Sequence, residues 1–573
     1  MKKRSAWILV AVVAAVAVGA AVMGGLALML RGGTARTASW SANSDSYLDL
    51  SLTEIPEQAA SSDLGSFFES KPASLRAVVE SLDRGATDPK VKAVVLRVST
   101  LSDSGWGKVQ ELRDAIGRFR KSGKPAYAHL EFCGNREYYL ATACSKIYAV
   151  PTAILNVSGL AAEVTFFKGA LDKLGVEAQF EGVGKYKNAP NQLTETGFTG
   201  PHREQMEALL DSLFGQFVSA IATSRGKTED EVRALVDGGP YDGARALEAG
   251  LVDELLYADE LEGRLKGAER VTPGRYVKSS RGWSLDGRPK LALIYAVGDI
   301  VSGESQSGFA GDYVGSETVA RAVRQARKDA SVRAIVLRID SPGGSGTASD
   351  VMWREVALAR KAKPVIMSMG DVAASGGYYL AMGGDAIVAE PGTITGSIGV
   401  FGGKISLRGL YDKLGLSKEI LTRGRNAALF SSYRPWTDEE RQTFRKIMTS
   451  FYDEFVEKAA SGRGKTRDEI HAVAQGRVWT GAEALRVGLV DRLGGLDVAV
   501  SLAKERAKIG KDQEVALLVL PEKKSFFETL LERQEDGAMM RMAPRDVRGA
   551  MALAQVLAEG VPVARLPFEL TFR

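Results

Sequence analysis

"VRAIVLRID" spans Val332–Asp340, and "VKAVVLRVS" spans Val91–Ser99, an offset of 241 residues. Neither run alternates polar and apolar residues as a half-exposed strand does. A continuous apolar run belongs to a strand covered on both faces, the usual state in a parallel sheet. Three more matches keep the spacing. "YYLA" recurs at Tyr138–Ala141 and Tyr378–Ala381, an offset of 240. "RGKT" recurs at Arg225–Thr228 and Arg463–Thr466, and "GARALEAGLVDEL" from Gly243 returns as "GAEALRVGLVDRL" from Gly481, both at 238. Ordered matches at a nearly constant offset mark a duplicated domain. One copy covers residues 45–265 and the other 288–505. The polar, glycine-rich residues between them predict a linker over 266–287.

Each copy alternates apolar runs with helical patterns. In the second copy "KLALIYAVGDIV" precedes the amphipathic "SETVARAVRQARKD"; then come "AIVLRID", a helix near 348–361 and "PVIMSM". This is an α/β pattern, in which ligands gather at the carboxyl ends of the strands. Residues 506–573 form a C-terminal extension with one more strand-like run, "VALLVL". The RGKT stretches lack the upstream glycine of a phosphate loop, with Ile221 and Ala459 in its place, and read as surface turns.

Composition narrows the function. With 573 residues, 45% hydrophobic and 25% charged, the chain has enough material for two or more globular domains. A net charge of +5 on 75 basic and 70 acidic residues makes no case for nucleic-acid binding. Three histidines and two cysteines, Cys133 and Cys144, supply neither a metal set nor a histidine triad, so no metal or cofactor is expected. At the N-terminus Lys2, Lys3 and Arg4 precede an uncharged run, Ala6–Leu30. As a helix this run would be about 37 Å long, enough to cross a bilayer. Residues 1–31 then form a cytoplasmic tip and a transmembrane anchor, the basic cluster holding the tip inside and sending the bulk across; a long cleaved signal peptide is the alternative reading of the same segment.

Two stretches carry chemistry. "GDVAASGGYYLA" (Gly370–Ala381) holds a lone hydroxyl, Ser375, among small residues, and "DSPGG" (Asp340–Gly344) places two glycines just after a strand. Adjacent glycines can aim backbone amides at one point, as an oxyanion hole requires. In the first copy, position 135 opposite Ser375 is Asn135, and "STLSDSGWG" replaces "DSPGG". Conversely, "EGVGKYKNAPNQ" (Glu181–Gln192) carries Lys187, opposite Ala427 of the second copy. Each half lacks what the other holds. This pattern fits one composite site; it also fits an exposed loop lysine beside a packing serine.

Together with "TITGSIGV" (Thr393–Val400) and "VGKYKNAP" (Val183–Pro190), these motifs resemble the S49 family of Ser–Lys proteases in its long, duplicated form, over nearly the whole chain. The resemblance implies tandem Clp protease/crotonase-like domains behind an N-terminal transmembrane helix. It implies Ser375 as nucleophile, Lys187 as general base, Ser397 orienting the lysine, and Gly344 with the amide of Ser375 or Gly376 lining the oxyanion hole. It also implies hydrophobic peptide substrates such as cleaved signal peptides, a homotetramer, and a bacterial inner-membrane protein facing the periplasm. A free lysine, with pKa about 10.4, is neutral in only about one molecule in 2,500 at pH 7, so such a base needs a pKa lowered by burial. Two other classes fit parts of the pattern. An acyl-CoA enzyme of crotonase type would share the oxyanion amides but would need cytosolic CoA; an idle membrane scaffold would not need Ser375 and Lys187.

Overall fold

A computed structural model of the chain describes residues 44–58, 72–102, 104–265, 267–280, 287–308, 311–521 and 563–565. The apolar run Ala6–Leu30 lies outside these residues, and among the described residues no helix is long and apolar enough to cross a membrane.

The two repeats form two matching parallel sheets. In the first, Lys146–Leu155, Ala126–Cys133, Val91–Ser102 and Ser46–Glu54 lie side by side in that order. In the second the order is Ile394–Gly396, Val365–Ala374, Val332–Ser341 and Lys290–Val297. The unbroken apolar runs serve both faces, as their lack of alternation requires. Val94, Leu96 and Val98 enter the main core of the first repeat, while Ala93 and Val95 pack on the other face against Tyr148, Leu256 and Leu261. Ile335, Leu337 and Ile339 do the same for the second core, with Ala334 and Val336 on the opposite face.

The RGKT stretches are helix boundaries. Gly226 and Gly464 end helices in the left-handed conformation, and Thr228 and Thr466 cap the next helices with the side chains of Glu231 and Glu469 closing the box.

The expected linker 266–287 is in part structured. Glu269–Val271 adds an edge strand to the first sheet beside Ser46–Glu54. The helix Pro273–Ser280 buries Tyr276 and Val277 in the first core. Apolar residues spaced for one helix face outweigh the polar average that suggested a loop. The run "VALLVL" is likewise an edge strand, Ala516–Leu520, paired in parallel with Lys290–Val297.

A third, mixed sheet joins the repeats. Glu177–Val183 of the first repeat runs antiparallel to Val400–Ser406 of the second, from Val183 opposite Val400 to Glu177 opposite Ser406. The same sheet holds Gly343–Ser345, Asp299–Val301 and the tail strand Val563–Arg565. Lys187 follows the first of these strands and the "DSPGG" turn contributes another, so the junction of the two repeats is where the candidate residues meet.

Candidate active site

Ser375 ends the strand Val365–Ala374 and caps the short helix Gly376–Ala381. Its backbone is left-handed, φ 53° and ψ −109°, a conformation costly for a residue with a Cβ, by about 1–3 kcal/mol. The turn puts the side chain at the carboxyl end of the sheet, completely buried. Ser397, after the neighbouring strand Ile394–Gly396, is also left-handed (φ 52°) and fully buried.

Lys187 reaches into this corner from the first repeat. Its Nζ lies 2.7 Å from Ser375 Oγ, 2.9 Å from Ser397 Oγ and 3.2 Å from the Ser397 carbonyl oxygen. The three contacts match a neutral amine, with two N–H donors for Ser397 and a lone pair for the Ser375 hydroxyl. No carboxylate faces the ammonium. Burial alone holds its pKa well below the ordinary lysine value. The loop that carries it is clamped by the second repeat: Tyr186 N donates to Gln475 O at 2.8 Å, and Gln475 is itself left-handed. Gly476 lies so close that a Cβ there would sit 2.5 Å from the Lys187 amide nitrogen. Gln475 and Gly476 escaped the sequence reading, because only their position against the lysine loop gives them meaning.

The oxyanion candidates separate. The Ser375 amide donates to Gly396 O at 2.8 Å and is engaged, which leaves Gly376, at the first position of the helix, as the member of that pair with a free role. Gly344 lies in the strand Gly343–Ser345, against which the helix of Gly376 packs. Its φ of 152° and a virtual Cβ 2.1 Å from Ile300 O both demand glycine.

A groove runs beside these residues, between Gly343–Ser345 and Val400–Ser406. The chain's own Val563–Arg565 lies in it, antiparallel to Gly343–Ser345, with Val563 opposite Phe401. Val563 is fully buried, packed with Ala189 and Phe401 and flanked by Phe180 and Val301. Here the edges of Gly343–Ser345 and Val400–Ser406 hold an extended backbone, and a branched apolar side chain is buried beside them.

Away from the dyad, a buried ionic network holds the repeats together. Lys108 of the first repeat sits 2.8 Å from Asp340 and 3.2 Å from Asp371 of the second. Asp371 also accepts from the Gly105 and Lys108 amides, and Arg338 pairs with Glu57 and Glu111. Lys108 and Glu111, both on the helix Trp106–Lys121 of the first repeat, are buried against these partners from the second. The three histidines stay apart from this corner: His129 meets Leu256 O, His471 meets Tyr452 and His202 packs among Phe166 and Phe198. Both cysteines are free and buried, and among the described residues no cluster could hold a metal ion.

The model of peptidase family S49 matches residues 118–272 and 357–510, one region in each repeat. The chloroplastic serine protease SPPA of Arabidopsis thaliana is 39% identical over 459 residues, covering 78% of this chain and 68% of that protein. Protease 4 of Salmonella typhi is 32% identical, covering 76% and 72%. Protease 4 of Haemophilus influenzae is 29% identical, covering 82% and 80%. Among solved structures, the membrane-bound stomatin-specific protease 1510-N with a substrate peptide is 18% identical with a TM-score of 0.26, covering 43% of this chain and 97% of that one. With both repeats matched and this extent of similarity to SPPA and protease 4, the chain belongs to peptidase family S49 and is a serine endopeptidase.

Proposed function

We propose that this endopeptidase works through a Ser375–Lys187 dyad assembled from the two repeats of one chain, and that it cleaves extended, apolar peptides such as spent signal peptides. The observation that carries the reading is the 2.7 Å approach of Lys187 Nζ to Ser375 Oγ in a buried corner with no counter-charge. A neutral lysine takes the serine proton as Oγ attacks the scissile carbonyl. Ser397 keeps the amine aimed at that proton. The oxyanion is received by the amides of Gly344 and Gly376. The lysine then returns the proton to the leaving amine as the C–N bond breaks, and activates the water that hydrolyses the acyl-enzyme. A lysine base has no tautomer to fix, so no acidic third member is required.

The substrate side rests on the groove. An extended peptide would add a strand between Gly343–Ser345 and Val400–Ser406, as Val563–Arg565 does, with apolar side chains entering the Phe401 pocket. The accompanying fold reading is a tandem of Clp protease/crotonase-like domains. The accompanying location is a single anchor at Ala6–Leu30 with the catalytic bulk on the periplasmic side of a bacterial inner membrane. Purified enzyme should hydrolyse an apolar peptide, and Ser375→Ala should lower the rate by about 10³-fold or more while leaving the thermal melt cooperative. Hydrolysis near the wild-type rate in that variant would refute the assignment.

A further inference from the structure

The segment Gln475–Arg477 holds both loops that meet at Ser375. Gln475 O accepts from the amide of Tyr186, the residue before Lys187, at 2.8 Å. Arg477 O accepts from the Ser397 amide at 2.7 Å, and between the two the Gly476 amide donates to Ile398 O at 2.7 Å. Three consecutive residues of the second repeat thus grip the lysine loop of the first repeat and the loop of the serine beside its amine.

Arg477 adds a side-chain grip. Its guanidinium lies over the Tyr186 ring, 4.9 Å from the centroid, and over the Trp479 ring at 4.5 Å. Its Nη1 donates to the Tyr186 hydroxyl at 3.2 Å and to Glu204 Oε1 at 3.1 Å. The Tyr186 hydroxyl donates to Glu204 Oε1 at 2.7 Å and accepts from Lys185 Nζ at 3.0 Å. Tyr186 is buried, whereas the side chains of Arg477, Glu204 and Lys185 are partly open to solvent. An ion pair this open adds little to stability. What the planar, stacked guanidinium supplies is a fixed direction for the Tyr186 ring and hence for the loop.

The duplication separates what the scaffold needs from what the site needs. At the offset of 238, the counterpart of Arg477 is Gly239, where an added Cβ would sit 2.3 Å from Val157 O. The counterpart of Glu204 is Gln442, and with Gly184 matched to Gly424 that of Tyr186 is Asn426. Both repeats build the same sheet, yet arginine, tyrosine and glutamate stand only at the positions that face the dyad. The counterparts lack all three, as they lack the lysine at Ala427.

We propose, resting on the Ser375–Lys187 reading above, that Arg477 is a positioning residue for hydrolysis. Through Tyr186 and with Glu204 it fixes the lysine loop so that Lys187 Nζ meets Ser375 and Ser397 and stays sealed from water. The partners of the Lys187 amine are Ser375 and Ser397, and Lys185, Glu204 and Arg477 are not among them. Arg477 therefore acts through the loop and not on the charge of the amine. A displacement of about 1 Å between two groups that must meet costs roughly 10²-fold in rate. A loosened corner also admits water, which returns a buried amine towards its ordinary titration.

The test uses the full chain in mild detergent, with steady-state hydrolysis of an apolar peptide and the rate at which a fluorophosphonate probe labels Ser375, read against pH. Arg477→Ala should lower kcat about 10- to 100-fold with KM within about twofold. The midpoint of its labelling profile should move to higher pH, with a smaller deficit at the alkaline end. Tyr186→Phe keeps the ring and removes only the hydroxyl; it should move the midpoint the same way by less, and it decides alone if Arg477→Ala does not fold. The double variant should be less impaired than the product of the two single effects. A change in KM alone, an unshifted midpoint, or a double variant equal to that product would overturn the proposal. Lys187→Ala is measured alongside. If it is inactive while Arg477→Ala and Tyr186→Phe keep the wild-type kcat and midpoint, the dyad stands and the role of Arg477 falls. If Lys187→Ala hydrolyses at the wild-type rate, the dyad reading fails and takes this proposal with it.

Discussion

Lys187 is costly to the fold, and in the proposed dyad that same cost keeps the amine neutral. Its pKa is depressed by burial alone, so the folded state binds fewer protons than the unfolded chain over the window between the two pKa values. Stability therefore rises with pH through that window, and at neutral pH the lysine destabilises the protein. Lys187→Met should raise the melting temperature at pH 7 by a few degrees, at about 2–4 °C per kcal/mol for a domain of this size, while abolishing hydrolysis. A lower melting temperature would contradict the desolvation argument. The same depressed pKa predicts that kcat/KM climbs as pH rises through a value far below 10 and then levels off. Lys187→Arg should be inactive at every pH, since a guanidinium does not lose its proton. Ser397→Ala removes one partner of the amine, about 1–3 kcal/mol, and should lower kcat roughly 5- to 150-fold with little change in KM. A pure KM effect would move Ser397 from positioning the base to binding substrate.

At the scale of elements, two strands bring the chemistry to the junction, and both are tied to the first repeat by Lys108. Val332–Ser341 leads through Asp340 into the glycine turn; Val365–Ala374 carries Asp371 four positions before Ser375. Lys108→Met would remove the cation that bridges two buried carboxylates and leave them only backbone amide donors, a loss of about 3–5 kcal/mol. The melting temperature should fall markedly, and adding Asp371→Asn should recover part of it; a double variant no better than the single one would show that the carboxylates are not the cause. The tail strand makes a separate prediction. Because Val563–Arg565 lies in the groove proposed for substrate, deleting residues 561–573 should lower KM for an apolar peptide and leave kcat nearly unchanged. An unchanged KM would separate that groove from substrate binding. The sequence made the strands legible, since their apolar runs are unbroken, and the complementary replacements, Asn135 opposite Ser375 and Ala427 opposite Lys187, pointed to those two residues. What the sequence did not make legible is the pairing of "EAQFEGV" with "VFGGKIS", because neither pattern names its partner. Nor did it make Lys108 legible, because a charged residue on an amphipathic helix reads as solvated until the opposing surface is known. Residues 266–287 misled for the converse reason: a polar average concealed Tyr276 and Val277 on one helix face.

For the whole molecule, duplication has been followed by division of labour. Both repeats keep the same sheet, the same capped helices and the same left-handed glycines, yet only one holds the serine and only the other holds the lysine. In the dyad proposed above, a single chain supplies both groups of one site. The most direct measurement of this central claim is complementation. Lys187→Ala and Ser375→Ala chains with different tags are coexpressed, hybrids carrying both tags are isolated, and hydrolysis of an apolar peptide is measured. A dyad within one chain leaves every site in the hybrid short of one group, and the predicted activity is the background of the single variants. Activity recovered towards the wild-type rate in tag-verified hybrids would show that lysine and serine meet across chains, and would contradict the account.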